Sequence, residues 1–203
     1  MPLWIERWAN IAAHTGQTHE ERFGWSPRDG RSAGSCTFAP VGGLISIREG
    51  LGKRERYETL LPQVRALVAD ESDLTANLGN ILSALHMTFR FHWTGLYRVV
   101  GDELVLGPFQ GPVACTRIAR GRGVCGTAWV EKRMINVPDV EAFPGHIACS
   151  ALSRSELVAP IRDERGAVRA VLDIDSELPD FFDAVDESML AEVVRIIENL
   201  RGW

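Results

Sequence analysis

Two stretches that alternate in polarity and fold back on themselves constrain this chain more than any other feature. Trp93–Val100 and Glu103–Gly107 flank Gly101-Asp102, a dipeptide suited to a tight turn. Glu156–Arg162 and Ala167–Asp175 flank the turn DERG (163–166) in the same way. Strands joined by short turns pair antiparallel. Between the hairpins, Cys115–Ala119 and Met134–Val137 are two further strand candidates, the second stopped by Pro138, and Gly126–Lys132 suits a short helix. Helical periodicity flanks this core. Residues 56–69 (RYETLLPQVRALVA) read as a helix, with Pro62 near enough to the start to be tolerated or to mark a break. Asp73 caps a second helix whose Leu74, Leu78, Ile81, Leu82, Leu85 and Phe89 share one face. Asp183–Leu200 carries Val185, Met189, Val193, Ile196, Ile197 and Leu200 on a broad apolar stripe. The expected class is α+β: a central, mainly antiparallel sheet of about six strands with helices on one face.

The regular pattern spans 53–203, and residues 1–52 read differently. SPRDGRSAGS (26–35) is polar and turn-forming, and only a helical stub near Trp4–Ala13 interrupts the irregularity. This segment is expected to be a flexible extension, or to lie upstream of the start codon that cells use. A net charge of -5 argues against a nucleic-acid surface, which needs clustered Lys and Arg. No apolar run approaches the roughly 18 residues that span a bilayer, and Glu6 and Arg7 break any secretory signal. The expected location is the cytoplasm. There, four cysteines are poor candidates for structural staples and better ones for packing, metal ligation or redox chemistry. Cys36 receives no role. Cys115, Cys125 and Cys149 cluster in one third of the chain.

Each of these sulfurs has a plain and a chemical reading. In GVCGTA (123–128), Cys125 sits at a helix start, where the dipole favours thiolate; it also suits a small buried hydrophobe between glycines. Cys149 follows a proline-glycine turn and His146 in an irregular stretch, the kind of loop that carries catalytic groups. His146, Cys149, Cys115 and Cys125 also make four potential zinc ligands, but without the C-x2-C spacing of most structural zinc sites, so no metal is assigned. Alternation in VLDIDS (171–176) puts Asp173 and Asp175 on one strand face and Leu172 and Ile174 on the other. Paired acids there form either a solvated face or a site where a cation or a proton relieves their repulsion. Glu156 begins the partner strand and reaches the same region. Trp93, Gly95 and Tyr97 share a strand face, as pocket wall or as core.

Taken in order, WTGLY (93–97), LVLGPFQGPVACTRI (104–118), GRGVCGTAW (121–129), VPDVEAFPGHIACSA (137–151), SRSELVAPI (153–161) and AVLDIDS (170–176) resemble the free methionine-(R)-sulfoxide reductases, a catalytic branch of the GAF superfamily. The resemblance runs from about residue 53 onward. It implies Cys149 as nucleophile, Cys115 as the resolving thiol that closes a disulfide onto it, and Cys125 as a third cysteine that assists resolution. It implies Glu156, Asp173 and Asp175 as the acids that bind substrate, and Trp93 and Tyr97 as its aromatic wall. The same resemblance implies reduction of free L-methionine-(R)-sulfoxide through a sulfenic acid and an intramolecular disulfide, recycled by thioredoxin with no bound cofactor, in a homodimer. Two positions depart from the pattern: His92 stands where an amide is usual, and Ser150 follows Cys149 where an acid is common. The alternative is a GAF module that binds a small ligand without turning it over.

Overall fold

The computed structural model describes residues 45–147 and 149–203. The helical stub at Trp4–Ala13 and Cys36 lie outside the described residues. In chain order the elements are α1 (Lys53–Val68), α2 (Leu74–Phe89), β1 (Trp93–Val100), β2 (Glu103–Gln110), β3 (Arg117–Ala119), α3 (Gly123–Glu131), β4 (Ile135–Val137), a 3-10 turn (Val140–Ala142), β5 (Ser155–Arg162), β6 (Val168–Ser176) and α4 (Ala184–Glu198). Upstream of α1, Ile45 and Ile47 pack against the core, and Ser46 exchanges backbone hydrogen bonds with the Gln63 side chain at 2.8 and 3.0 Å.

The strands form one six-stranded sheet in the order β3-β2-β1-β6-β5-β4, antiparallel at every pairing. Both hairpins form where the sequence places them. Gly101 turns β1 into β2 at a φ of 62°, a conformation that costs glycine no Cβ clash. At the other turn the Asp163 carboxylate accepts from the N–H groups of Arg165 and Ala167 at 3.0 and 2.9 Å.

The α+β class stands, with one correction to the layering: the helices do not all share a face. Leu96, Leu157, Ala159, Ile161, Leu172 and Ile174 meet α1, α2 and α4 in one core. Trp93, Tyr97, Val158 and Val171 point the other way and pack with Val124, Cys125, Ala128 and Trp129 of α3. The central strands are apolar on both faces, so both faces need cover. Among the described residues, no helix is long and apolar enough to cross a membrane.

The helix ends follow from their caps. Asp73 accepts from the Ala76 N–H at 2.8 Å and starts α2. Asp183 accepts from Val185 and Asp186 and starts α4. Asp186 is fully buried yet charge-paired with Lys53 and hydrogen-bonded by the Tyr57 hydroxyl at 2.9 Å, so α4 is tied to α1 by a satisfied polar contact. Pro62 lies inside α1 and does not end it.

Candidate active site

Strand register assembles the site. Trp93 stands opposite Asp175 on β6, and Asp175 stands opposite Glu156 on β5, giving one row across three strands. Gly95, Asp173 and Val158 make the next row. Because side chains alternate, Trp93, Tyr97, Asp173, Asp175 and Glu156 all project to the α3 face. There they border a cavity of about 30 Å³ with Cys125, His146, Cys149, Ser150 and Ser153. Gly95 leaves the gap its lack of a side chain suggests. A Cβ there would lie 2.0 Å from the Trp93 ring and 2.7 Å from Phe109 Cβ. The indole therefore lies over the strand, stacked on Tyr97 and Phe109 at centroid distances of 5.8 and 5.5 Å.

Cys115 and Cys149, 34 residues apart, form a disulfide with Cα atoms 5.4 Å apart. Both ends sit in irregular chain. Cys115 lies between β2 and β3, where the Tyr97 hydroxyl donates to its carbonyl at 3.0 Å. Cys149 lies in the loop between the 3-10 turn and β5. The site thus brings together every residue singled out from the sequence: Cys149, Cys125, Trp93, Tyr97, Glu156, Asp173 and Asp175 line the cavity, and Cys115 joins through the bridge. The four-ligand set of His146 and three cysteines is not gathered, since two of its sulfurs are bonded to each other. A different trio, Cys125, Glu156 and Asp173, has ligand atoms within 4.8 Å of one another.

The electrostatics of this trio favour the plain reading of Cys125 over the thiolate one. Cys125 lies in the first turn of α3, where a helix dipole favours thiolate. It is nevertheless buried, and burial pushes its thiol well up, reinforced by the neighbouring Asp173 and Glu156 carboxyls. Its sulfur lies 4.0 Å from Glu156 Oε1, placed to donate. Burial and two acids outweigh half a positive charge, so Cys125 is a protonated thiol.

The acids are not a solvated face. Glu156 and Asp173 are 6% exposed. Burial raises both carboxyls well above the usual range, and neighbouring acids add to the rise. Burial also pushes Asp175 up to about 6, opposed by a hydrogen bond from Ser153 and by His92. Asp173 Oδ1 has no hydrogen-bond partner among the described residues. His146 Nδ1, also unpartnered, lies 3.8 Å from Glu156 Oε2, and burial pushes its pKa down, which favours the neutral ring. A pocket with buried acids of raised pKa, a carboxyl oxygen without a partner among the described residues and a sulfur pair beside it can accept a cationic ligand and hand over protons and electrons.

Sequence reasoning missed Phe109, which extends the aromatic stack, and Ser153, which lines the cavity together with Asp175. Phe109 had a faint signal, lying at the far end of the alternating first hairpin. Ser153 had none.

The chain matches the GAF domain family over residues 73–199. It is 51% identical to GAF domain-containing protein A of Dictyostelium discoideum, an alignment covering 76% of this chain and 98% of the relative. It is 41% identical to the free methionine-R-sulfoxide reductase of Escherichia coli, covering 74% and 91% of the two chains. The crystal structure of free methionine-R-sulfoxide reductase from Neisseria meningitidis in complex with its substrate superposes with a TM-score of 0.73. That match is 47% identical over 76% of this chain and 94% of the other. This chain belongs to the free methionine-R-sulfoxide reductase family and is built on that family's GAF domain.

Proposed function

We propose that this protein reduces free L-methionine-(R)-sulfoxide to methionine with electrons from Cys149 and Cys115. The observation that carries the reading is the Cys115–Cys149 bridge, whose Cys149 end lines an acid-walled pocket. The named relatives from Escherichia coli and Saccharomyces cerevisiae support it.

Each part of the site has a task in this reaction. A free amino acid carries an ammonium group, and Glu156, Asp173 and Asp175 offer carboxylate oxygens for it in a buried setting. Three carboxyls facing one cation cannot all be ionised, so one remains protonated and serves as general acid. The Cys149 thiolate attacks the sulfoxide sulfur and forms an S–S bond while that acid protonates the sulfoxide oxygen. The S–O bond then breaks as the hydroxyl passes to the Cys149 sulfur, the S–S bond breaks with its electron pair going to methionine, and Cys149 is left as a sulfenic acid. The Cys115 thiol then attacks the Cys149 sulfur, water departs and the disulfide closes. The methyl sulfur end of the substrate packs against Trp93 and Tyr97. Cys115 is the resolving thiol, and Cys125 a buried neighbour of the acids. In the bridged state Cys149 has no free thiolate, so the sulfoxide reacts with the reduced form.

Thioredoxin, by its dithiol, returns the bridge to two thiols, and the protein acts as a homodimer in the cytoplasm. With thioredoxin, thioredoxin reductase and NADPH, the (R)-sulfoxide of free methionine is expected to drive steady NADPH oxidation and the (S)-sulfoxide to leave it at background. Binding of the (R)-sulfoxide with no NADPH consumed would instead support a ligand-binding GAF module.

A further inference from the structure

The two positions that depart from the family pattern, His92 and Ser150, meet in space. His92 Nε2 lies 2.9 Å from Ser150 Oγ, although 58 residues separate them. On the other side of the ring, His92 Nδ1 lies 2.8 Å from Glu177 Oε1. The imidazole itself is nearly buried, with 8% of its side chain exposed.

The Glu177 carboxylate only accepts, so Nδ1 carries a hydrogen and donates to it. Nε2 and the Ser150 hydroxyl share the second hydrogen bond, in which either can be the donor. The Leu152 N–H lies 3.2 Å from Ser150 Oγ and donates to the same oxygen. Glu177, His92, Ser150 and Leu152 form one satisfied line of donors and acceptors that ends on the residue next to Cys149.

This contact has no substitute in the loop. Among the described residues, the other hydrogen bonds made by residues 143–152 are local: Phe143 to Val140, His146 to Phe143, Cys149 to Ile147 and Leu152 to Ser150. The backbone N–H of His92 donates to the Asp175 carbonyl at 2.9 Å, so the ring is mounted on the sheet, at the row that holds Trp93 and Asp175. When the disulfide is reduced, Ser150–His92 remains, among the described residues, as the side-chain hydrogen bond from residues 143–152 to the sheet end; His146 Nδ1 faces Glu156 Oε2 at 3.8 Å, beyond hydrogen-bond length.

We propose that Glu177–His92–Ser150 is a clamp that keeps Cys149 within reach of Cys115 in the reduced protein. His92 lies outside the cavity lining and is a positioning residue: it acts through Ser150, by limiting the excursions of the loop. Restricting two thiols to neighbouring positions raises their effective concentration, which favours the bridge over the open dithiol. The proposal rests on the reading of Cys149 and Cys115 as the working thiols.

The test is the equilibrium between the Cys115–Cys149 disulfide and glutathione. Two glutathione thiols reduce the bridge to two cysteines and leave as glutathione disulfide, so the constant reads the effective concentration without any sulfoxide present. Ser150→Ala and His92→Ala are each expected to shift that constant about fivefold toward the reduced protein, the scale of one net hydrogen bond. The double variant is expected to shift no further than the larger single, because both remove the same contact. Ser150→Thr keeps a hydroxyl and is expected to keep the parent constant, which separates the clamp from loss of folding. In single turnovers His92→Ala, at a residue outside the cavity lining, lowers the rate of bridge formation and leaves half-saturation by substrate unchanged. Parent-like constants in both single variants, or additive shifts in the double, would overturn the clamp. Neither outcome depends on whether methionine sulfoxide is the substrate; a sulfoxide left unreduced by protein with normal glutathione equilibria would overturn the function instead.

Discussion

Cys149→Ser is expected to lower the first turnover of free methionine-(R)-sulfoxide by about 1,000-fold or more, because a hydroxyl at neutral pH cannot replace a thiolate at sulfur. Cys115→Ser is expected to behave differently. It forms one methionine per chain and then stalls, with sulfenic acid held on Cys149 and open to trapping by dimedone. The contrast follows from geometry: Cys115 and Cys149 are bonded to each other, and Cys149 sits on the pocket that Glu156 and Asp173 line. Quenched single turnovers with quantified methionine separate the two cases. Full activity in Cys149→Ser would move the nucleophile to another sulfur. Cys125 is a poor heir, since burial and two acids hold its thiol protonated.

Asp173→Asn carries the second large effect, and its two halves have opposite signs. Losing one buried carboxylate partner of the substrate ammonium is expected to cut kcat/KM by about 100-fold. The same change is expected to stabilise the fold at pH 7. Burial and the neighbouring Asp175 raise the Asp173 carboxyl well above its ordinary value. An acid raised on folding binds more protons in the native state than in the unfolded one. Stability from such a group is complete below the unfolded pKa and is lost as pH rises toward the folded value. For Asp175, pushed up to about 6, that loss spans about pH 4 to 6. Asparagine at 173 does not ionise, so the penalty at that position disappears. The thermal midpoint of Asp173→Asn should exceed the parent's at pH 7, by about 2–4 °C for each kcal/mol relieved, and the gap should close toward pH 4. A variant that melts below the parent at pH 7 would show that Asp173 is held without strain. On the proposed function, activity opposes stability at this position: acids that a sheet would rather not bury serve a cation that arrives later.

Much of this arrangement was legible before any coordinates, for reasons that differ by residue. Alternation through Trp93–Val100 and VLDIDS assigned faces correctly, because a strand has only two. It put Leu96, Leu172 and Ile174 on one side and Trp93, Tyr97, Asp173 and Asp175 on the other. The caps at Asp73 and Asp183 follow from side-chain oxygens that reach nearby N–H groups. Short elements were less well bounded. The third strand begins at Arg117 rather than Cys115, and α3 begins at Gly123 rather than Gly126, since a few residues carry too little periodicity to mark an edge. The side of the sheet taken by α3 was hidden, because it depends on two faces being apolar at once. The charge state of Cys125 was also hidden: local sequence shows the helix start, while the burial and acids that decide the matter come from β5 and β6. His92 and Ser150 stood out one by one as departures, but nothing in either neighbourhood indicates that they pair across 58 residues.

The most direct test of the account uses reduced protein, the (R)-sulfoxide of free methionine and no other reductant. After the reaction is quenched by alkylation, digestion without reduction shows which cysteines have joined. The expected result is one methionine formed per chain and one linked peptide pair, Cys115 with Cys149. Methionine formed while those two sulfurs remain as alkylated thiols, or no methionine at all, would contradict it.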